Sequence, residues 1–253
     1  MISLNCQNPY PKNKINFSAN IKFEELKTFN KKIIQETVVE VGHCICSVEQ
    51  TQSGKNIGTS GILMCNAGGI TGGNTDNNLM FHLYPDRFFG NLPQNLIKLK
   101  QKFQKTLSSL KQEQKEPQAL IFGGDIKSED SKDLMVVLKH FFEKYKIDHT
   151  VFWGTGNKNK PLSYSEKNIF YDGNKDTWYV NLMKSGESVL DKEKALDSFN
   201  FIEVSSKDKV KFSDTGWLSG KEKGLCKGNL DLTVEDVFRK HGTDPKILEA
   251  LSK

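Results

Sequence analysis

Thr59, Cys65 and His82 place a hydroxyl, a thiol and an imidazole within one short stretch, Thr59-Ser-Gly-Ile-Leu-Met-Cys65 followed by Leu79-Met-Phe-His82-Leu-Tyr-Pro85. A thiolate beside an imidazole is a nucleophile beside its proton acceptor. A third polar group that orients the ring completes a cysteine-based acyl-transfer site. Cysteine is also among the most frequently buried residue types, and Cys65 closes the apolar run Ile62-Leu63-Met64, where a thiol serves equally well as core. Residue type alone leaves both readings open.

The intervals narrow them. Thr59-x5-Cys65-x16-His82, with Pro85 three residues after the histidine, resembles the active-site pattern of the chemoreceptor glutamine deamidases of the CheD family. That fold is shared with the catalytic domain of cytotoxic necrotizing factor. The resemblance implies that Cys65 attacks the side-chain carboxamide of a glutamine presented by a protein substrate. It further implies that His82 accepts the thiol proton, that Thr59 orients the ring, and that no cofactor or metal takes part. One departure bears on geometry: family members carry Gly-Ser before the cysteine, whereas this chain has Leu63-Met64 and keeps only the earlier glycine, Gly61. A straight strand would hold Thr59 and Cys65 about 20 Å apart, so the chain must bend between them. Gly61 is the residue with the backbone freedom to do so.

The elements that must position these groups read as a layered α/β sandwich, with a mixed β-sheet and packed helices, over residues 21–183. Residues 1–20 are rich in Asn, Lys and Pro and read as a disordered tail. Phe23, Leu26 and Ile33 suggest a short helix over residues 21–34. A β-rich segment, residues 38–48, leads into a hairpin turn at residues 52–55 and the strand that holds Thr59. Residues 66–78, with four glycines and many short polar side chains, read as a flexible loop supplying backbone donors beside Cys65. His82 falls in a strand over residues 79–84.

Beyond it, Leu92, Leu96, Leu99, Phe103, Leu107 and Leu110 mark one helical face, and Leu134, Val137, Leu138, Phe141, Phe142 and Tyr145 another, capped by Ser128 or Ser131. Strands are expected at residues 119–122 and 150–153, and a hairpin around Asp172-Gly173. The CheD family shares this order of elements, together with a Gly-Gly pair after the first of those strands, here Gly123-Gly124. Residues 184–253 lie outside the resemblance and read as a small C-terminal extension containing a helix at residues 191–199, a strand at 201–204, and a Thr233-capped helix followed by a second near residue 244. Its expected role is to select the protein substrate, through an amphipathic surface made by Val234, Val237 and Phe238.

Composition sets outer limits. With 253 residues, 36% hydrophobic and 26% charged, the chain can bury a sizeable core. The net charge of +5 is spread along helices, and no aromatic-basic interleaving suggests a nucleic-acid surface. No apolar run is long enough to cross a bilayer and the start lacks the pattern of an export leader, so a cytoplasmic location is expected, with signal-independent secretion kept open. The odd count of five cysteines suggests free thiols. His43, Cys44 and Cys46 cluster, but no second pair stands at a zinc-like interval, and core filling is the expectation for both thiols. His140, His149 and His241 are expected at the surface. Two other classes remain: a metal-dependent nucleoside hydrolase resembling the laccase-domain family, which would need a further histidine ligand, and a silent protein-binding module. Oligomeric state is not legible.

Overall fold

Period-two alternation along the strands divides the interior into two apolar layers. In β6 (Leu79–Leu83) every residue is buried. Leu79, Phe81 and Leu83 join one cluster and Met80 joins the other. A strand buried on both faces belongs in the middle of a layered fold. The computed structural model describes residues 20–23, 38–40, 46–51, 56–124, 128–153, 165–184, 187–189, 202–205, 210–213, 216–219, 233–244 and 247.

Two mixed six-stranded sheets result. The first orders β1 (Asn20–Phe23), β10 (Thr177–Lys184), β9 (Ser165–Asp172), β4 (Asn56–Ile62) and β2 (Val38–Glu40), with β11 (Glu187–Val189) beside β10. The second orders β12 (Ile202–Ser205), β8 (Asp148–Trp153), β7 (Gln118–Gly123), β5 (Asn66–Thr71), β6 and β3 (Ser47–Gln50). A separate hairpin joins β13 (Val210–Ser213) to β14 (Gly216–Ser219). One apolar layer, including Ile57, Ile62, Ala67, Met80, Phe122, Ile169 and Trp178, lies between the two sheets.

The other face of the second sheet carries the helices α1 (Pro85–Gly90), α2 (Leu92–Gln112), α3 (Glu129–Lys144) and α4 (Val234–Lys240). In α2 the residues Leu92, Leu96, Leu99, Phe103 and Leu110 are buried, as their spacing predicts. Ser128 caps α3, its hydroxyl accepting from the Ser131 N–H at 3.2 Å. The layered α/β class is therefore observed, with two sheets where one was expected.

Five expectations are corrected. Residues 20–23 form a strand rather than the start of a helix, because β1 gains a parallel partner in β10; residues 24–34 lie outside the described residues. The strands flanking residues 52–55 are no hairpin: β3 pairs with β6 in one sheet while β4 pairs with β9 in the other. Residues 66–71 are a fully buried central strand rather than a loop. Its glycines fit a tightly paired interior, since a Cβ on Gly68 would lie 1.9 Å from the Leu120 carbonyl oxygen and one on Gly69 2.0 Å from that of Leu79.

The surface expected from Val234, Val237 and Phe238 is instead core. These residues are 6%, 0% and 2% exposed and join the helix-side cluster. The reason is a polar clamp as well as apolar burial: Asp133 of α3, 1% exposed, accepts from Lys240 Nζ at 2.8 Å and pairs with His241 Nε2 at 2.7 Å. The tail at 1–19, the turn at 52–55, the helix at 191–199 and the residues His43 and Cys44 lie outside the described residues.

His149 and His241 are likewise not surface groups. His241 stacks on Phe89 with ring centroids 3.8 Å apart. His149 is 4% exposed, and its Nδ1–H donates to the Ile147 carbonyl at 3.0 Å. Burial pushes the His149 pKa below the usual imidazole range, so the folded state holds this ring neutral. The stabilisation is complete above the unfolded value of about 6.5 and is lost as pH falls toward the lower folded value. The melting temperature is expected to fall from pH 7 to pH 5, and His149→Phe should make that fall shallower in a thermal scan across pH.

Candidate active site

The chain from Thr59 to Cys65 passes from one sheet to the other. β4 belongs to the first sheet and β5 to the second, and a bend at residues 63–65 connects them. Within β4 the pairing with β9 shifts register between Thr59 and Ile62. Gly61 sits there with φ +67°, a conformation that side-chain-bearing residues rarely adopt. The special backbone expected at Gly61 is therefore present, as a left-handed residue at a register shift, while the bend itself falls at residues 63–65.

Its consequence is the contact between Thr59 and His82. Thr59 Oγ1 and His82 Nδ1 share a hydrogen bond of 2.7 Å across the layer between the sheets, and both residues are 0% exposed. Cys65 reaches the same layer from the second sheet. In the β5–β6 ladder Ala67 stands opposite His82 and Asn66 opposite Leu83. Side chains two apart share a face, so Cys65, Ala67 and His82 all project toward the first sheet, with Cys65 diagonal to His82. Diagonal neighbours across an antiparallel pair are separated by about 7–8 Å between backbones, within reach of side-chain contact. The thiol and the imidazole thus share the inner face of the second sheet, and the hydroxyl meets the imidazole from the first.

Cys65 is 5% exposed and belongs to the apolar cluster between the sheets. Its backbone is fixed from the second sheet, where the Gly124 N–H donates to the Cys65 carbonyl at 2.9 Å. Tyr84 packs against the same cluster. The Tyr84 phenol is held above its usual range chiefly by the charge of Asp86, with a smaller contribution from Cys65, so thiol and phenol are electrostatic neighbours.

On the opposite strand, β9, Lys167 donates from Nζ to the Leu63 carbonyl at 2.7 Å, and Asn168 Oδ1 accepts from the Gly61 N–H at 3.0 Å. Sequence reasoning missed both residues, because it assigned no facing to the strand that leads into the Asp172-Gly173 turn. Alternation was the available signal: Lys167, Ile169 and Tyr171 stand at period two, which puts the lysine on the inward face.

The other thiol described, Cys46, differs. It is half-buried, its Sγ–H points to the Tyr84 carbonyl at 3.8 Å, and burial raises its pKa. Among the described residues, Asp130, Asp133 and His241 lie close enough together to hold a cation, but Lys240 already occupies Asp133. They stand on the helix side of the second sheet, whereas Cys65 and His82 face the first. A polar cleft lined by Thr51, Asn56, Asn78 and Asn174 opens elsewhere, beside the loop that follows the far end of β5. No helix among the described residues is long and apolar enough to cross a membrane. No protein-family model matches this sequence, and a search of the curated proteins returns no match.

Proposed function

We propose that this protein is a cysteine-dependent protein glutamine deamidase. One observation carries the reading: the 2.7 Å Thr59–His82 hydrogen bond, with Cys65 on the same face of the β5–β6 pair. A hydroxyl bound to Nδ1 leaves Nε2 to exchange protons, the division of labour that a thiol–imidazole pair requires. In this scheme the Nδ1–H of the neutral ring donates to Thr59 Oγ1. His82 takes the Cys65 proton, and the thiolate attacks the carbon of the glutamine side-chain carboxamide. Backbone amides of the 63–65 bend hold the oxyanion. The C–N bond then breaks as His82 protonates the departing ammonia. The remaining thioester is attacked by water, giving glutamate and the free thiol. One water is consumed and one ammonia released, with no redox change and no group carrier.

The low exposure of Cys65 favours a slim side chain presented end-on, as a glutamine is. The test is incubation with glutamine-bearing proteins and peptides, read by mass spectrometry for a gain of about one dalton at a single glutamine, together with ammonia release. Iodoacetamide, itself a small carboxamide, is expected to label Cys65 faster than Cys46 near pH 7 in the folded protein, whereas a bulky maleimide should show no such preference. Equal labelling of both thiols by iodoacetamide, with no glutamine converted, would remove the reading.

A further inference from the structure

Lys167 is 0% exposed, and lysine is almost never fully buried unless it is paired. It stands in register with Ile62 on one side and Leu182 on the other, facing the layer between the sheets. Lys167 and its neighbour Asn168 project to opposite faces of β9, yet each grips the same short segment, through the Leu63 carbonyl at 2.7 Å and the Gly61 N–H at 3.0 Å. The segment they hold begins at the left-handed glycine and ends two residues before Cys65.

Resting on the reading of Cys65 as the nucleophile, we propose that Lys167 is a positioning residue for that thiol: its ammonium pins the bend on which Cys65 sits and favours the thiolate there. An apolar side chain would fill the layer but leave the Leu63 carbonyl without this donor. An uncharged donor such as glutamine would satisfy the carbonyl but bring no positive charge. The bound carbonyl is two residues from Cys65, which places the charge within about 10 Å of the sulfur. At an effective dielectric constant near 20, one unit charge at that distance shifts a thiol by about one pH unit. Among the described residues, the other titratable groups that face this layer are His82 and Tyr84 from the second sheet and Tyr171 from the first. Tyr171 stays protonated near neutrality, since burial and the Asp176 carboxylate raise its pKa.

The experiment follows iodoacetamide alkylation of Cys65 against pH in the full chain, with folding checked by circular dichroism. Lys167→Gln, which keeps a donor and removes the charge, should raise the thiolate midpoint by about one pH unit and slow alkylation at pH 7 about tenfold. Lys167→Met should shift it at least as far, and Asn168→Ala, which loosens the segment without changing charge, should leave it near the wild-type value. If the neutral variants do not fold, the reciprocal measurement serves: 15N titration of the Lys167 ammonium in the native chain and in Cys65→Ser, where loss of the thiolate should lower the ammonium midpoint by a similar amount. A wild-type midpoint in a folded Lys167→Gln or Lys167→Met chain, or an unmoved ammonium in Cys65→Ser, overturns the proposal. These differences are read without any deamidation assay. An ordinary thiol midpoint in the wild type would count against the deamidase reading, and the Lys167-dependent difference would still be decided.

Discussion

Cys65→Ala is expected to reduce glutamine conversion by about four orders of magnitude or more, because loss of the nucleophile removes the covalent route altogether. His82→Ala should lower the rate by about 10²- to 10⁴-fold, the range for a positioned proton acceptor, while also slowing Cys65 alkylation. Thr59→Val is the more searching variant. It keeps the volume of a fully buried side chain and deletes only the hydroxyl bonded to Nδ1. The ring then loses the partner that fixes its orientation and tautomer, so the rate should fall about 10- to 100-fold, and the buried Nδ1–H left without its acceptor should lower the melting temperature as well. Single-turnover kinetics on a peptide substrate measures all three. Cys65→Ala protein that retains wild-type conversion would exclude the mechanism.

Removal of everything after Met183 is expected to unfold the protein rather than merely to change its choice of substrate. β12 supplies the edge strand paired to β8, and α4 buries Val234, Val237 and Phe238 against the helix side of the second sheet. Three such side chains contribute roughly 5–8 kcal/mol, comparable with the whole stability of an ordinary domain. The cut also deprives the buried Asp133 carboxylate of Lys240 and His241, which is unfavourable for a charge already removed from water. The readout is a cooperative melt of the full chain against its absence in residues 1–183. A truncated chain that melts cooperatively and keeps fast Cys65 alkylation would restore the view of residues 184–253 as a separable substrate selector.

The sequence made legible those parts of the fold in which a single local pattern decides the outcome. The Leu92-to-Leu110 stripe, the Ser128 and Thr233 caps and the hairpin around Asp172-Gly173 all follow from local periodicity or turn chemistry. Gly61 was legible for a different reason: a distance argument demanded irregular backbone between Thr59 and Cys65, and Gly61 supplies part of it, although the bend itself falls at residues 63–65. What escaped was long-range. β5 looked like a loop because glycine opposes strand formation locally, but flanked by β6 and β7 its lack of side chains is what permits close pairing. The facing of Lys167 and the burial of α4 depend on which sheet or helix lies opposite, and no short window of sequence carries that information.

The hydrogen bond between Thr59 and His82 joins residues of different sheets, so this contact exists only where the two sheets are docked. Strand pairing within each sheet does not by itself bring β4 over β6. A state with paired strands but loosely packed layers would hold the thiol and the histidine without the Thr59 contact. On the proposed reading of Cys65 as a nucleophile, docking of the two sheets is the step that would complete the site.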